Sequence, residues 1–188
     1  MAAGARLDRD RSHLLIVDVQ EKLAPHVEGS EALIARCEAL ITAAQMLGIP
    51  KRLTEHCPAQ IGPVVPRLRE RFKQDEIFIK SYFAATDHEE FASRLVQGRD
   101  QLVVAGMEAH VCVMQTVLGL TASGFKVFVV ADAVGSRGVR QDDRRYALDR
   151  MQMAECTLVG TETALFEWTR SGDDAAFKET LRLLKTLP

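Results

Sequence analysis

The sequence has no excess of charge of one sign, because its 24 Lys and Arg residues nearly balance its 26 Asp and Glu residues. Such a balance gives no strong field to attract nucleic acid or an anionic membrane. No apolar run approaches the ~18 residues that a membrane-spanning helix needs, and residues 1–12 lack the apolar segment of a secretory signal. We therefore expect a soluble, cytoplasmic protein that binds a small molecule or copies of itself, and neither nucleic acid nor a membrane.

Several cofactor and metal motifs are also missing. The sequence contains no G-x-G-x-x-G and no G-x-x-x-x-G-K-[ST], so dinucleotide and P-loop functions lose their main support. Its five histidines form no H-x-x-x-H or D-x-H pair, and its four cysteines have no C-x-x-C spacing. We expect no cofactor, no metal site and free thiols, as in a reducing compartment, although a bridge between distant cysteines stays open at this stage.

Length and composition predict one domain. With 188 residues, 47% of them hydrophobic, the chain can bury a full core, and we expect a single domain over residues 1–188 with a flexible arm at residues 1–12. Continuous apolar segments such as Leu14–Val17 and Val127–Val130 favour a parallel sheet covered on both faces by crossover helices, which is an α/β fold. Strands are predicted at His13–Val19, Lys51–Thr54, Glu76–Ile79, Gln101–Ala105, Lys126–Ala131 and Cys156–Val159.

Two helices have clear sequence signals. Apolar residues recur with helical spacing from Ser30 to Leu47, and Gly48 is expected to end that helix. Asp87 and Glu90 have the spacing of a capping box and predict that another helix begins there.

Cys112 is the candidate nucleophile. It follows a predicted strand by one loop and lies in the first turn of a predicted helix, where the partial positive charge of the N-terminus lowers the pKa of a thiol. Asp18 ends the first strand, and Lys80 follows the third. Doubly wound sheets bind ligands outside the C-terminal ends of their strands, so we expect these three side chains to converge there.

Attack of a thiol on an amide or ester needs a proton acceptor and stabilisation of the oxyanion. Asp18 can take the thiol proton and return it to the leaving group, with Lys80 as its electrostatic partner. Backbone N–H groups at the start of the Cys112 helix can bind the oxyanion. Each residue also has a plainer interpretation: Cys112 as buried filler, Asp18 as a turn cap and Lys80 as an exposed lysine. His110, two residues before the cysteine, is expected to face solvent or another subunit.

These residues lie in segments that resemble the isochorismatase-like cysteine hydrolase family, which includes the nicotinamidases. The resemblance covers nearly the whole chain and rests on Leu14–Gln20, Lys80–Phe83, Gly106–Val113, Val130–Arg137 and Thr161–Phe166. It implies a three-layer, doubly wound α/β fold whose six-stranded parallel sheet has the order 3-2-1-4-5-6, and a homo-oligomer. It also implies a catalytic triad of Asp18, Lys80 and Cys112, and a cis peptide bond between Met107 and Glu108. That bond aims the N–H groups of Glu108 and Cys112 at the oxyanion.

The sequence departs from its relatives at two places. Metal-binding nicotinamidases have an Asp-x-His motif where this chain has Glu55-His-Cys-Pro58, which argues against nicotinamidase activity. Many relatives have Ser after the aromatic residue of the lysine motif, where this chain has Ala84.

We predict a hydrolase that cleaves the C–N bond of a small amide or related acyl compound through a Cys112 thioester. The resemblance and the strand positions place Gln20, His56, Tyr82 and Phe83 around the substrate. Two alternatives stay open. One is isochorismatase-type hydrolysis of a vinyl ether, which does not require the cysteine, and the other is a non-catalytic oligomeric binding protein.

Overall fold

The computed structural model describes residues 6–188 and contains a six-stranded sheet. All neighbouring strands are parallel, and their order is β3-β2-β1-β4-β5-β6. The strands are β1 (Ser12–Val17), β2 (Lys51–His56), β3 (Ile77–Lys80), β4 (Gln101–Met107), β5 (Lys126–Gly135) and β6 (Thr157–Val159). The predicted α/β fold and the strand order implied by the resemblance are confirmed.

The two central strands, β1 and β4, are buried along their whole length. Successive side chains of β1 point to opposite faces of the sheet. Leu14 and Ile16 pack into one core together with Trp168, whereas Leu15 and Val17 pack into the other. Burial on both faces explains the continuous apolar runs in the sequence and gives the site a rigid support.

Helices cover both faces of the sheet. α1 (Ser30–Met46) begins at the predicted residue and ends one residue earlier than predicted, before the left-handed Gly48 with φ of 66°. The remaining helices are α2 (Pro58–Ile61), α3 (Pro66–Arg69), α4 (Met114–Ala122), α5 (Gln141–Met153), α6 (Thr161–Thr169) and α7 (Phe177–Lys185). Among residues 6–188, no helix has the length and apolar character needed to cross a membrane.

The capping box predicted at Asp87 does not begin a helix. The chain forms two 3-10 turns there, Ala85–Asp87 and Ala92–Arg94. Tertiary contacts outweigh the local signal, because the His88 ring accepts a backbone hydrogen bond from the segment after β3 and Phe91 is buried in the core. The prediction of a helix beginning at this point is therefore wrong.

The predicted flexible arm is corrected in part. Residues 1–5 lie outside the described residues. From residue 6 onward the chain is packed: Leu7 is buried and its N–H donates to Oε2 of Glu167 at 2.7 Å. Arg9 forms an ion pair of 2.7 Å with Asp174. Residues 6–12 therefore lie against α6 and the segment that follows it.

Candidate active site

Three strands deliver the candidate triad to one edge of the sheet. Asp18 directly follows β1, Lys80 is the last residue of β3, and Cys112 lies in the turn that follows β4. Oδ2 of Asp18 is 2.6 Å from Nζ of Lys80, and both groups are close enough to the Cys112 thiol to shift its pKa. The three side chains converge as predicted, while their catalytic roles stay a prediction.

The chain turns sharply at Asp18, and β2 holds this residue in place. Its φ of 48° lies in the left-handed region, which Asp adopts more readily than most residues. The N–H of Asp18 donates to the carbonyl oxygen of Thr54 at 3.2 Å. Oγ1 of Thr54 donates to Oδ1 of Asp18 at 2.6 Å. One residue of β2 therefore fixes both the backbone and the carboxylate of Asp18.

Gly106 in β4 permits the close approach of the two central strands beside Asp18. Its φ is 135°, and a Cβ at this position would lie 2.0 Å from the carbonyl oxygen of Val17. Glycine is required because any side chain would push β4 away from β1 at the residue before Asp18.

All three N–H donors of the Lys80 ammonium are used inside the protein. Nζ donates to Oδ2 of Asp18 at 2.6 Å, to the carbonyl oxygen of Phe83 at 3.0 Å and to that of Tyr82 at 3.3 Å. The Lys80 side chain is fully buried. Lys80 therefore orients and neutralises the Asp18 carboxylate from behind, without reaching into the cavity described below.

Cys112 lies in a π-helical turn, Ala109–Val113, that continues directly into α4. Such turns add one residue to a helix and occur often at functional sites. The N–H of Val113 donates to the carbonyl oxygen of Glu108, five residues earlier, at 3.2 Å. The peptide bond between Met107 and Glu108 is cis, as the resemblance implied.

The Cys112 thiol is protonated at neutral pH. Burial raises its pKa to about 12, the Asp18 carboxylate contributes to the rise, and Lys80 opposes it. The prediction that the helix N-terminus lowers this pKa is wrong, because lost hydration and the adjacent carboxylate outweigh the partial charge of the helix. The thiol therefore has a proton to give, and a carboxylate lies beside it.

A cavity of about 350 Å³ opens at Cys112, which is within the range of small-molecule sites. Of the predicted substrate residues, His56 and Phe83 line it, and their ring centroids are 5.1 Å apart. Burial and the charge of Lys80 lower the pKa of His56, which favours the neutral form of its ring. The lining consists of Asp18, Lys22, Leu23, His26, His56, Ile61, Phe83, Glu108, Val111, Cys112 and Arg137.

The other two predicted substrate residues do not line this cavity. Gln20 is fully buried: its side-chain amide donates to the carbonyl oxygens of His56 and Gly62 and accepts the N–H of His56. Gln20 therefore holds in place the segment that carries His56. Tyr82 is exposed and packs against the ring of His88. The resemblance and the strand positions suggested both residues, but neither tells to which side a loop side chain points.

Sequence reasoning missed Arg137, which lies two residues after β5 at the same edge of the sheet. Its backbone N–H and its Nε both donate to Oε1 of Glu108, at 3.1 and 3.0 Å. The rule that brought Asp18 into the site, that side chains after parallel strands meet at one edge, applies equally to Arg137. Lys22 and His26, from the loop after β1, were missed as well.

His110 is half-buried, and its Nδ1 lies 2.9 Å from Oγ of Ser136. This contact joins the Cys112 turn to the residues after β5. That His110 faces solvent or another subunit stays a prediction.

A larger and more open depression, of about 610 Å³, lies at the opposite edge of the sheet, where β2 begins at Lys51. Its lining includes none of the triad residues and no cysteine. Size alone would favour this depression, but the chemistry favours the cavity at Cys112.

Residues 12–163 match the family model of the isochorismatase domain. Isochorismatase domain-containing protein 2 of Danio rerio is 32% identical, over 98% of this chain and 92% of its own length. Among solved structures, the MAR1 ribonuclease of Caenorhabditis elegans has a TM-score of 0.90 at 34% identity, covering 98% of this chain and 95% of that one.

Two solved structures of the protein YcaC are also similar to this chain. The protein from Pseudomonas aeruginosa, solved with hexane-2,5-diol and covalent acrylamide, has a TM-score of 0.88 at 30% identity, covering 97% of this chain and 93% of that one. The Escherichia coli protein, an octameric hydrolase of unknown specificity, has a TM-score of 0.87 at 29% identity, covering 100% and 91%.

Proposed function

We propose that this chain, which belongs to the isochorismatase family and is a hydrolase of that family, cleaves the C–N bond of a small amide or related acyl compound through a Cys112 thioester. The observation that carries the proposal is the buried ion pair of 2.6 Å between Asp18 and Lys80, next to the thiol. A buried ion pair adds little stability over apolar residues of the same size. Its presence beside a protonated thiol is therefore better explained by proton transfer than by folding.

The first half of the reaction forms the thioester. The Asp18 carboxylate accepts the thiol proton as Sγ of Cys112 attacks the carbonyl carbon, and the carbonyl π electrons move to oxygen. When the tetrahedral intermediate collapses, the C–N bond breaks and Asp18 returns its proton to the leaving nitrogen. The amine or ammonia departs, and the acyl group stays on the sulfur.

The second half regenerates the thiol. A water molecule attacks the thioester carbonyl while Asp18 accepts its proton, and the C–S bond breaks as the carboxylic acid leaves. The proton on Asp18 then passes to the departing sulfur. The N–H groups of Glu108 and Cys112 are the proposed donors to the oxyanion in both halves, and removal of one such donor typically raises a barrier by ~3 kcal/mol.

Lys80 has a positioning role in this mechanism. Its three hydrogen bonds keep the ammonium buried and fixed, so the Asp18 carboxylate keeps one orientation as its charge is lost and regained. The Pseudomonas relative was solved with covalent acrylamide. Acrylamide bonds to nucleophiles at its vinyl carbon, so this supports a reactive nucleophile in that relative, though not cleavage of an amide.

We also propose a single-domain subunit that assembles into a homo-oligomer in the cytoplasm. The octameric Escherichia coli relative supports the assembly. Tyr146 and Met153 are exposed apolar residues seven positions apart on α5, so they lie on one face of that helix, which is suited to a subunit contact. Val139, in the turn before α5, is exposed as well. The four free thiols, Cys37, Cys57, Cys112 and Cys156, are consistent with a reducing compartment.

A second candidate function is hydrolysis of a vinyl ether with Asp18 as the acid and Cys112 incidental. The raised pKa of Cys112 favours ether hydrolysis, because that reaction needs no thiolate. Ribonuclease activity, which the name of the Caenorhabditis neighbour states for that protein, gains no support from the net charge of this chain, which is close to zero.

The deciding experiment measures ammonia release from a panel of small amides, nicotinamide included. Wild type is compared with Cys112→Ala and Asp18→Asn, and we expect both variants to lose turnover while keeping the far-UV circular dichroism of the wild type. Cys156→Ala is the matched control, because this buried cysteine lies before β6, away from the triad.

Each outcome selects one function. Turnover that survives in Cys112→Ala overturns the thioester mechanism, and turnover of isochorismate by that variant but not by Asp18→Asn selects ether hydrolysis. No release from any amide, with a Cys112 thiol that reacts like an ordinary free one, selects the non-catalytic binding protein.

A further inference from the structure

The larger depression, at the edge of the sheet where β2 begins, has a surplus of positive charge. Its lining contains four cations and two carboxylates, which are Lys51, Arg71, Lys73, Arg99, Glu70 and Glu76. The buried Lys51 and Glu76 neutralise each other in an ion pair of 2.6 Å. Three cations are then left with one carboxylate, that of the exposed Glu70. Arg52 and Asp75, which are in contact beside the depression without lining it, add one charge of each sign.

Two of these cations are arginines that are held by neutral acceptors. Nη1 of Arg71 donates to Oγ1 of Thr42 at 3.1 Å. Nη1 of Arg99 donates to the carbonyl oxygens of Arg9 and Ser12, at 2.6 and 2.9 Å. Within residues 6–188 neither guanidinium has a carboxylate within 4.0 Å, and residues 1–5 contain no Asp or Glu. Both groups therefore keep an unneutralised charge and unused N–H donors, a combination that suits a phosphate group.

The buried His13 gives separate evidence for this surplus of charge. It lies in β1, and within the described part of the chain both of its ring nitrogens are buried without a hydrogen-bond partner. Burial lowers the pKa of His13, and the charges of Arg52 and Arg99 lower it further. Among residues 6–188, no carboxylate opposes this shift to a comparable degree. Cations therefore dominate the electrostatic potential at this edge of the sheet.

Part of the depression is apolar. Ile49, Pro50, Phe72 and Val96 contribute to its lining, and Val96 is 43% exposed. The volume of about 610 Å³ is within the range of small-molecule sites. A ligand that combines an anionic group with a ring could therefore use the charged and the apolar parts of the lining together.

We propose that this depression binds a small molecule that carries a phosphate group and a ring or other apolar part. Arg71, Lys73 and Arg99 bind the phosphate oxygens, and the apolar lining contacts the rest of the ligand. The inference does not depend on the proposed reaction, because the depression and the cavity at Cys112 lie at opposite edges of the sheet and share no lining residue.

Calorimetry with phenyl phosphate, AMP and inorganic phosphate at one ionic strength tests the proposal. We expect the wild type to bind at least one of the two esters with a Kd of about 1 mM or lower, and inorganic phosphate about tenfold more weakly. The double variant Arg71→Gln/Lys73→Gln should weaken ester binding by about 10- to 100-fold, because two charge-assisted contacts are lost. Lys73→Gln alone, at an exposed position, should weaken binding in the same direction, and it keeps the test decisive if the Arg71 substitution disturbs the fold.

The matched control is Arg182→Gln/Lys185→Gln, which removes the same charge from α7, a helix that does not line the depression. It should bind the esters as the wild type does. The proposal is refuted if neither ester binds the wild type, or if inorganic phosphate binds as tightly as both esters. Unchanged binding by the double variant and by Lys73→Gln refutes it by placing the ligand elsewhere, and an equal loss in the control refutes it by showing an effect of net charge alone.

Discussion

Replacement of Gly106 by alanine is expected to force β4 away from β1 beside Asp18. The new Cβ would lie 2.0 Å from the carbonyl oxygen of Val17 and 2.7 Å from its nitrogen. Non-bonded heavy atoms are in favourable contact at about 3.5 Å, so the strands must part by roughly 1.5 Å. Both atoms belong to the backbone of a central buried strand, so no side-chain rotation can relieve the contact.

The loss of stability has two parts. Overpacking a close-packed core costs about 1–3 kcal/mol, and a non-glycine residue at an unfavourable positive φ costs about 1–2 kcal/mol more. We expect Gly106→Ala to lower the free energy of unfolding by about 2–5 kcal/mol. At about 2–4 °C per kcal/mol for a chain of this size, the unfolding midpoint should fall by roughly 4–20 °C. Turnover should fall as well, because Asp18 follows the displaced residue.

Urea unfolding followed by circular dichroism measures the free energy of unfolding, and thermal unfolding followed in the same way measures the unfolding midpoint. Gly124→Ala is the matched control, since Gly124 also has a positive φ, of 88°, but a Cβ there would meet nothing within 4 Å. It should lose only the conformational part, about 1–2 kcal/mol. If Gly106→Ala loses no more stability than Gly124→Ala, the argument from close strand approach is refuted.

Two further predictions concern titrating groups. Asp18→Asn removes the carboxylate that raises the Cys112 pKa and leaves Lys80, which lowers that pKa. Iodoacetamide should therefore alkylate Cys112 of the variant faster at pH 8 than Cys112 of the wild type. Mass spectrometry measures the alkylation rate, and a slower reaction of the variant contradicts the prediction. His13 is buried in β1, and burial, with Arg52 and Arg99 adding, lowers its pKa from 6.5 to about 4. Between pH 6.5 and pH 4, His13 therefore binds a proton in the unfolded chain but not in the native state. About 3 kcal/mol of stability, fully present above pH 6.5, is lost as the pH falls towards 4. His13→Leu should flatten the fall in unfolding free energy between pH 7.5 and 4.5, and parallel curves for the two proteins would show that His13 does not cause it.

The sheet and the positions of the triad could be predicted from the sequence. The sheet follows from the runs of apolar residues, and the positions of the triad follow from the common direction of the strands in a parallel sheet. Runs such as Leu14–Val17 are apolar on both faces only when both faces are covered, which identifies a central parallel strand. Since all strands of such a sheet point the same way, the residues that follow them meet at one edge. This rule alone places Asp18, Lys80 and Cys112 together.

The remainder depended on surroundings that the local sequence does not contain. The direction of the Cys112 pKa shift is set by burial and by Asp18, ninety-four residues away in the chain. Gln20 is a polar residue next to the site, yet its amide is used up by the backbone of His56 and Gly62. At Asp87 a local capping signal was overridden by the packing of its neighbours, His88 and Phe91.

The π-helical turn at Ala109–Val113 makes the activity of this fold sensitive to chain length at one place. The π-helical turn contains one additional residue. This residue rotates the segment before the turn by about 100° around the helix axis relative to α4, which is the rotation that one residue makes in an α-helix. Deletion of a single residue here would let α4 continue as a regular helix with its buried stripe of Val117 and Leu120 intact, but would turn the thiol away from Asp18. A lineage could in this way lose the proposed reaction through one in-frame deletion while retaining the fold and its cavity for another use.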